Sequence, residues 1–161
     1  MLLNVLAVGD VVGAGGLSCL ERHLRALKRL HQIDFTVVNG ENADRVGILP
    51  AQAQAILDAG ADVITLGNHT WNRPQIAGFL EDCPYILRPA NYTPRNPGRG
   101  FGIFEGPRGL RIGVLNLMGR VELVNHLDTP FTVADKLLNT EETDLVLVDF
   151  HAEATSEKGA M

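Results

Sequence analysis

Four stretches of this 161-residue chain place carboxylate, amide or imidazole side chains directly after an apolar run. Leu2 to Val8, apolar except for Asn4, leads into Gly9-Asp10, and Phe35 to Val38 leads into Asn39-Gly40-Glu41-Asn42. Val63 to Leu66 leads into Gly67-Asn68-His69-Thr70-Trp71, and Leu145 to Val148 into Asp149-Phe150-His151. Singly, each ending fits turn chemistry, a helix cap or a surface imidazole. Together they fit a parallel sheet better, because the carboxyl ends of parallel strands lie side by side and open α/β sheets build their ligand crevices there. Oxygen and nitrogen donors without a thiolate suit Mn²⁺, Fe²⁺, Zn²⁺ or Mg²⁺. One carboxylate can bridge two such ions, so the expected chemistry is two-metal hydrolysis.

The elements that would position these residues follow from hydrophobic period. Unbroken apolar runs of four to seven residues read as strands covered on both faces. Leu17, Leu20, Leu24, Leu27 and Leu30 repeat at helical spacing. Pro50 opens a helix that runs to Ala59 and stops at Gly60. Asn72 and Pro74 have the order of a cap and first turn for a short helix to about Leu80. Tyr85 to Leu87 reads as a short strand ending in Arg88-Pro89-Ala90-Asn91, and Phe101 to Phe104 with Arg111 to Leu117 as a hairpin. Asp128-Thr129-Pro130 starts a last helix before the strand at Leu145. Arg88 and Arg120 are candidates to hold a phosphate, although each also suits a salt bridge or a loop carbonyl.

Bulk properties bound the partners. The length suits one domain, residues 1–161, with no internal repeat or linker. No apolar run is long enough to span a bilayer, and Cys19 and Cys83 form no metal or redox motif. The expectation is a cytoplasmic protein without a membrane. A net charge of −5 argues against duplex nucleic acid and leaves a small phosphorylated ligand as the partner. The glycines at 13, 15 and 16 lack the third glycine of the dinucleotide fingerprint, which disfavours an NAD-dependent oxidoreductase.

Gly9-Asp10-Val11-Val12-Gly13, Asn39-Gly40-Glu41-Asn42, Gly67-Asn68-His69-Thr70-Trp71, Arg88-Pro89-Ala90-Asn91 and the segment from Asp149 to Lys158 occur in that order. In these motifs the chain resembles the YmdB-type phosphodiesterases of the calcineurin-like metallophosphoesterase superfamily. The resemblance implies an α/β sandwich and hydrolysis of 2′,3′-cyclic nucleotides, or another small phosphodiester, at the 2′ bond. It implies two divalent metal ions, iron or manganese first, with zinc or magnesium as alternatives. By that resemblance Asp10 and Glu41 bind the first metal, with Glu41 bridging. Asn68 and His151 bind the second, and Asn42 assists. His69 donates a proton while a metal-bridging hydroxide attacks, and Arg88, Asn91 and Arg120 are carried as substrate contacts. Members of the family also tend to associate into homo-oligomers.

Family members continue beyond the Ala-Thr-Ser-Glu-Lys segment and add a His-x-His pair from a later strand, which this sequence does not contain. The chain is therefore expected to be a sandwich with its C-terminal part missing, an exposed flank on its last strand, and weak activity or none. The alternative is a non-catalytic module that binds metal or nucleotide in the same crevice.

Overall fold

Apolar runs without polar alternation are buried only if both faces are covered, and the first half of the chain achieves this with helices on one side and a second sheet on the other. In the computed structural model, which describes residues 2–123, 126–140 and 142–161, these runs form β1 (Val5–Val8), β2 (Phe35–Asn39), β3 (Val63–Thr65) and β4 (Ile86–Leu87). They make a wholly parallel sheet in the order β1-β2-β3-β4. The connecting helices are α1 (Gly13–Leu30), α2 (Pro50–Ala59) and α3 (Ile76–Asp82). Leu24, Ile56 and Leu80 from these helices pack with Val38, Ile64 and Ile86 on one face. Phe35, Val37, Val63 and Leu87 on the other face meet Ile112 and Val114.

Ile112 and Val114 belong to the second sheet, β5 (Phe101–Glu105), β6 (Arg111–Met118) and β7 (Leu145–His151), in the order β5-β6-β7. β5 and β6 form the expected antiparallel hairpin, and β6 pairs parallel with β7 from Ile112↔Leu145 to Met118↔His151. The crossover helix α4 (Pro130–Thr140) covers its outer face, where Ala134 packs with Leu115 and Leu117. α5 (Thr155–Ala160) follows β7. The layers are helix, sheet, sheet, helix, which is an α/β sandwich.

Three local expectations are corrected. β7 is not a fifth neighbour in the first sheet but an edge of the second, because its register is taken up by β6. β7 also runs on to His151, so that the imidazole sits on the last paired residue of the strand. The helix expected from Asn72 starts at Ile76 instead. Tight turns come first, with Asn72 N–H bonded to the His69 carbonyl and Ile76 N–H to that of Arg73. Arg73 is held to Asp44 at 2.5 Å, which fixes the chain there before a helix can begin.

Two polar ties join the sheets at their carboxyl ends. Buried Asn116 on β6 donates from Nδ2 to the carbonyls of Leu66 (2.7 Å) and Leu87 (2.8 Å). The Thr65 hydroxyl on β3 donates to Asp149 on β7. On the flank where β1 and β7 are both edges, a cavity of about 210 Å³ opens between the sheets, lined by Val5, Ala7, Val37, Val114, Leu147 and Val148. Among the described residues no helix is long and apolar enough to cross a membrane.

Replacing Asn116 by Leu keeps the bulk but takes its side-chain partner from the buried Leu66 carbonyl, while that of Leu87 keeps the Leu66 N–H. At about 1–3 kcal/mol for one buried carbonyl left without its partner, urea denaturation is expected to show a loss of that size. A variant as stable as the parent would mean that the Asn116 tie adds nothing to the apolar contact and the Thr65–Asp149 bond.

Candidate active site

Each strand end brings its side chain into the crevice for a local reason. Asp10 follows Gly9 with φ at 27°, a sparsely populated conformation for a residue with a Cβ. The loop is fastened there by bonds from Val11 N–H to the Asn39 carbonyl (3.0 Å) and from Gly13 N–H to that of Asn42 (2.9 Å). Glu41 sits in the turn after β2 at 1 % exposure. Gly67 is a glycine because nothing larger fits: a Cβ there would lie 2.5 Å and 2.7 Å from the two Glu41 carboxylate oxygens and 2.7 Å from His151 Cγ.

Six predicted residues form one connected network. Glu41 Oε1 lies 3.0 Å from His151 Nδ1, and His151 Nε2 lies 2.9 Å from Asn68 Oδ1. Glu41 Oε2 accepts the backbone N–H of His69 at 3.1 Å. His69 Nδ1 is 2.7 Å from Asn42 Oδ1, and Asn42 Nδ2 donates to Asp10 Oδ1 at 2.8 Å. Both ends of the Asn42 amide are thereby engaged, which joins Asp10 to His69. The residues come from the ends of β1, β2 and β3 in one sheet and β7 in the other. The crevice therefore lies at the seam between the sheets and not along a single one.

The donor set fits a hard or borderline divalent ion. Burying a carboxylate is costly unless a cation faces it, and the Glu41 carboxylate has only the His151 ring as an ion-pair partner among the described residues. Around it stand two amide oxygens, a second carboxylate and an imidazole, with no thiolate. Among the described residues no three His, Cys, Asp or Glu side chains gather as a cage. The core of the set is the Glu41–His151 pair, and the asparagines complete it.

The other three predicted residues stand outside the network. Arg88 is buried and donates to the carbonyls of Pro89 (2.9 Å), Pro97 (3.1 Å) and Asn96 (3.4 Å). These bonds shape the loop after β4. Asn91 is likewise buried: Nδ2 donates to the carbonyls of Met118 and Asp128, and Oδ1 accepts the Met118 N–H. Both side chains brace backbone carbonyls in this structure. Arg120 is exposed, and its guanidinium makes no hydrogen bond among the described residues.

Two residues outside the predicted set also bear on the site: Tyr92, which feels the charge of Glu41, and Asn116, which holds the Leu66 carbonyl just before Gly67. Tyr92 meets Trp71 edge-on, with centroids 5.7 Å apart at 77°. Burial, and then the charge of Glu41, push its phenol up to about 12. Asn116 has a visible signal, being the one polar side chain in the run from Ile112 to Met118.

A family model described as "YmdB-like protein" matches residues 6–161. The chain is 40% identical over 162 residues to the 2′,3′-cyclic-nucleotide 2′-phosphodiesterase of Bacillus subtilis (strain 168), covering 99% of this chain and 61% of that protein. A crystal structure of a hypothetical protein from Thermus thermophilus matches with a TM-score of 0.89 at 39% identity, over 97% of this chain and 60% of that one. A crystal structure described as a novel phosphatase from Mycoplasma pneumoniae matches with a TM-score of 0.88 at 33% identity, over 98% and 58%. The chain thus spans about three fifths of the length of these relatives.

The Tyr92 shift has a definite sign. The folded chain keeps the phenolic proton above the ordinary value of 10.0, so stability is unaffected below that pH and falls as pH rises from there towards about 12. Tyrosinate absorbance is expected to show a late step that Tyr92→Phe abolishes. If the step survives in that variant, Tyr92 does not face Glu41.

Proposed function

This chain belongs to the YmdB-like family, and on that premise we propose that its crevice is a metal-dependent phosphodiesterase site acting on 2′,3′-cyclic nucleotides at the 2′ bond. The observation that supports this reading is the network around buried Glu41, which collects Asp10, Asn42, Asn68, His69 and His151 from four strand ends. The substrate class is the one named for the Bacillus subtilis relative.

On this reading Asp10, Glu41, Asn42, Asn68 and His151 hold two divalent ions, iron or manganese first. Such ions, when bound, polarise phosphoryl oxygens and make water a nucleophile at neutral pH. The remaining steps fall to the side chains. Asn42 Oδ1 engages His69 Nδ1, which leaves Nε2 as the atom that passes a proton to the 2′ oxygen as its bond to phosphorus breaks. The ring ends neutral, with its remaining proton still directed at Asn42. The exposed guanidinium of Arg120 follows the β6 residues paired to the His151 end of β7 and offers a cation for the phosphate.

A second reading is a metal- or nucleotide-binding module without turnover. It is favoured by one observation, the lack of three charged donors in one group among the described residues.

Metal content and turnover separate the two. After reloading with Mn²⁺, the chain is expected to hydrolyse 2′,3′-cyclic AMP. Removing the general acid in His69→Ala should leave ion content unchanged and lower kcat by about 10²–10⁴. Asp10→Asn should lower both ion content and kcat. Near-normal turnover in His69→Ala would end its assignment as the acid, and binding of the cyclic nucleotide without product would establish the module.

A further inference from the structure

The segment after His151 carries a buried carboxylate that the proposed reaction does not use. Glu157, on α5, is 9 % exposed and takes its hydrogen bonds from the backbone of another element. Arg120 N–H donates to Oε1 (2.9 Å) and Oε2 (3.0 Å), and Val121 N–H donates to Oε2 (3.1 Å). The carboxylate lies directly on Gly119, where a Cβ would collide with Oε2 and come 2.8 Å from Ala152 Cβ. Gly119 N–H donates in turn to the carbonyl of His151 at 2.9 Å.

Among the described residues β7 has a ladder partner on one side only, and Met118↔His151 is the last pair. The bond from Gly119 is the next hold on His151 beyond that pair. The segment carrying it lies at the start of a turn in which Glu122 adopts φ of 64°, where a peptide backbone does not stay by preference. An ionised carboxylate accepting several amide protons is a strong local restraint.

We propose that Glu157 is a positioning residue for the site: it clamps residues 119–121 under the carbonyl of His151 and so keeps the imidazole aligned with Glu41 and Asn68. The consequence for metal binding rests on the reading of His151 as a ligand. Partners that orient a metal ligand typically change affinity by 10–100-fold when removed.

The test compares the full chain with Glu157→Gln, which keeps the shape but turns a donor group towards the amides, and with Gly119→Ala, which crowds the same contact from the other side. Glu153→Gln, exposed in the same segment, is the control. Two readouts are taken: side-chain ¹⁵N spectra of the imidazoles in metal-free protein, and Mn²⁺ affinity by calorimetry. Either clamp variant is expected to move the His151 resonances while those of His23 and His31 stay in place, and to weaken Mn²⁺ binding by about 10-fold or more. The control should change neither. A lowered melting temperature with unchanged His151 resonances would overturn the proposal and leave Glu157 as an anchor for α5 alone. If the parent chain binds no Mn²⁺, the metal reading fails, and the imidazole spectra still decide whether Glu157 positions His151.

Discussion

A carboxylate buried at the seam between two sheets sets the terms for the rest of this molecule. Glu41 has almost no contact with water, and an ionised group in that state needs cationic or hydrogen-bonding partners on every side. It obtains one from the backbone of His69 and one from the ring of His151, which belong to different sheets. The two layers therefore have to meet with their carboxyl ends in a fixed relation. A slip of one residue in β7 would turn His151 to the opposite face and leave Glu41 facing apolar atoms.

The apolar interior alone does not specify that relation. Contacts among Val37, Val63, Ile112 and Val114 are non-directional and would tolerate small sliding between the layers. Directional bonds remove that freedom. Asn116 reaches across the interface to two carbonyls of the first sheet, and Thr65 reaches Asp149 from the other side. Both ties lie within a few residues of the site, where alignment matters most. The bracing of the loop after β4 by Arg88 and Asn91 belongs to the same device, since Asn91 grips both backbone groups of Met118.

The sequence carries the strands, most of the helices and the chemical identity of the crevice, because these depend on local period and on residue type at strand ends. Asp10, Glu41, Asn42, Asn68, His69 and His151 each follow or terminate an apolar run and are visible on that ground. What stays hidden is partnership at a distance. Nothing local to β7 says that it pairs with β6 and stands apart from the first four strands, because both arrangements bury the same apolar run. Arg88 and Asn91 have the side chains of phosphate contacts, and only the folded positions of loop carbonyls reveal that they also hold backbone. The late start of α3 has the same origin, in a contact between Arg73 and Asp44 far back in the chain.

Carrying members of the network on edge strands, Asp10 after β1 and His151 on β7, has a cost that the ends of β2 and β3 do not share. β2 and β3 are flanked by neighbours on both sides, so Glu41, Asn42, Asn68 and His69 rest on a backbone fixed by two ladders or by the turns that leave them. β7 is fixed by one ladder, and along its free side the sheets part over the apolar cavity beside Val148. Local opening of a protein is easiest where few bonds must break together. The position of His151, like that of Asp10, thus depends on contacts beyond its own strand. Those contacts, the Gly119 amide behind it and the Glu41 and Asn68 oxygens before it, hold the ring from both ends. An imidazole gripped in this way can serve a bound ion only if the grip on its backbone outlasts the exchange of partners at its ring.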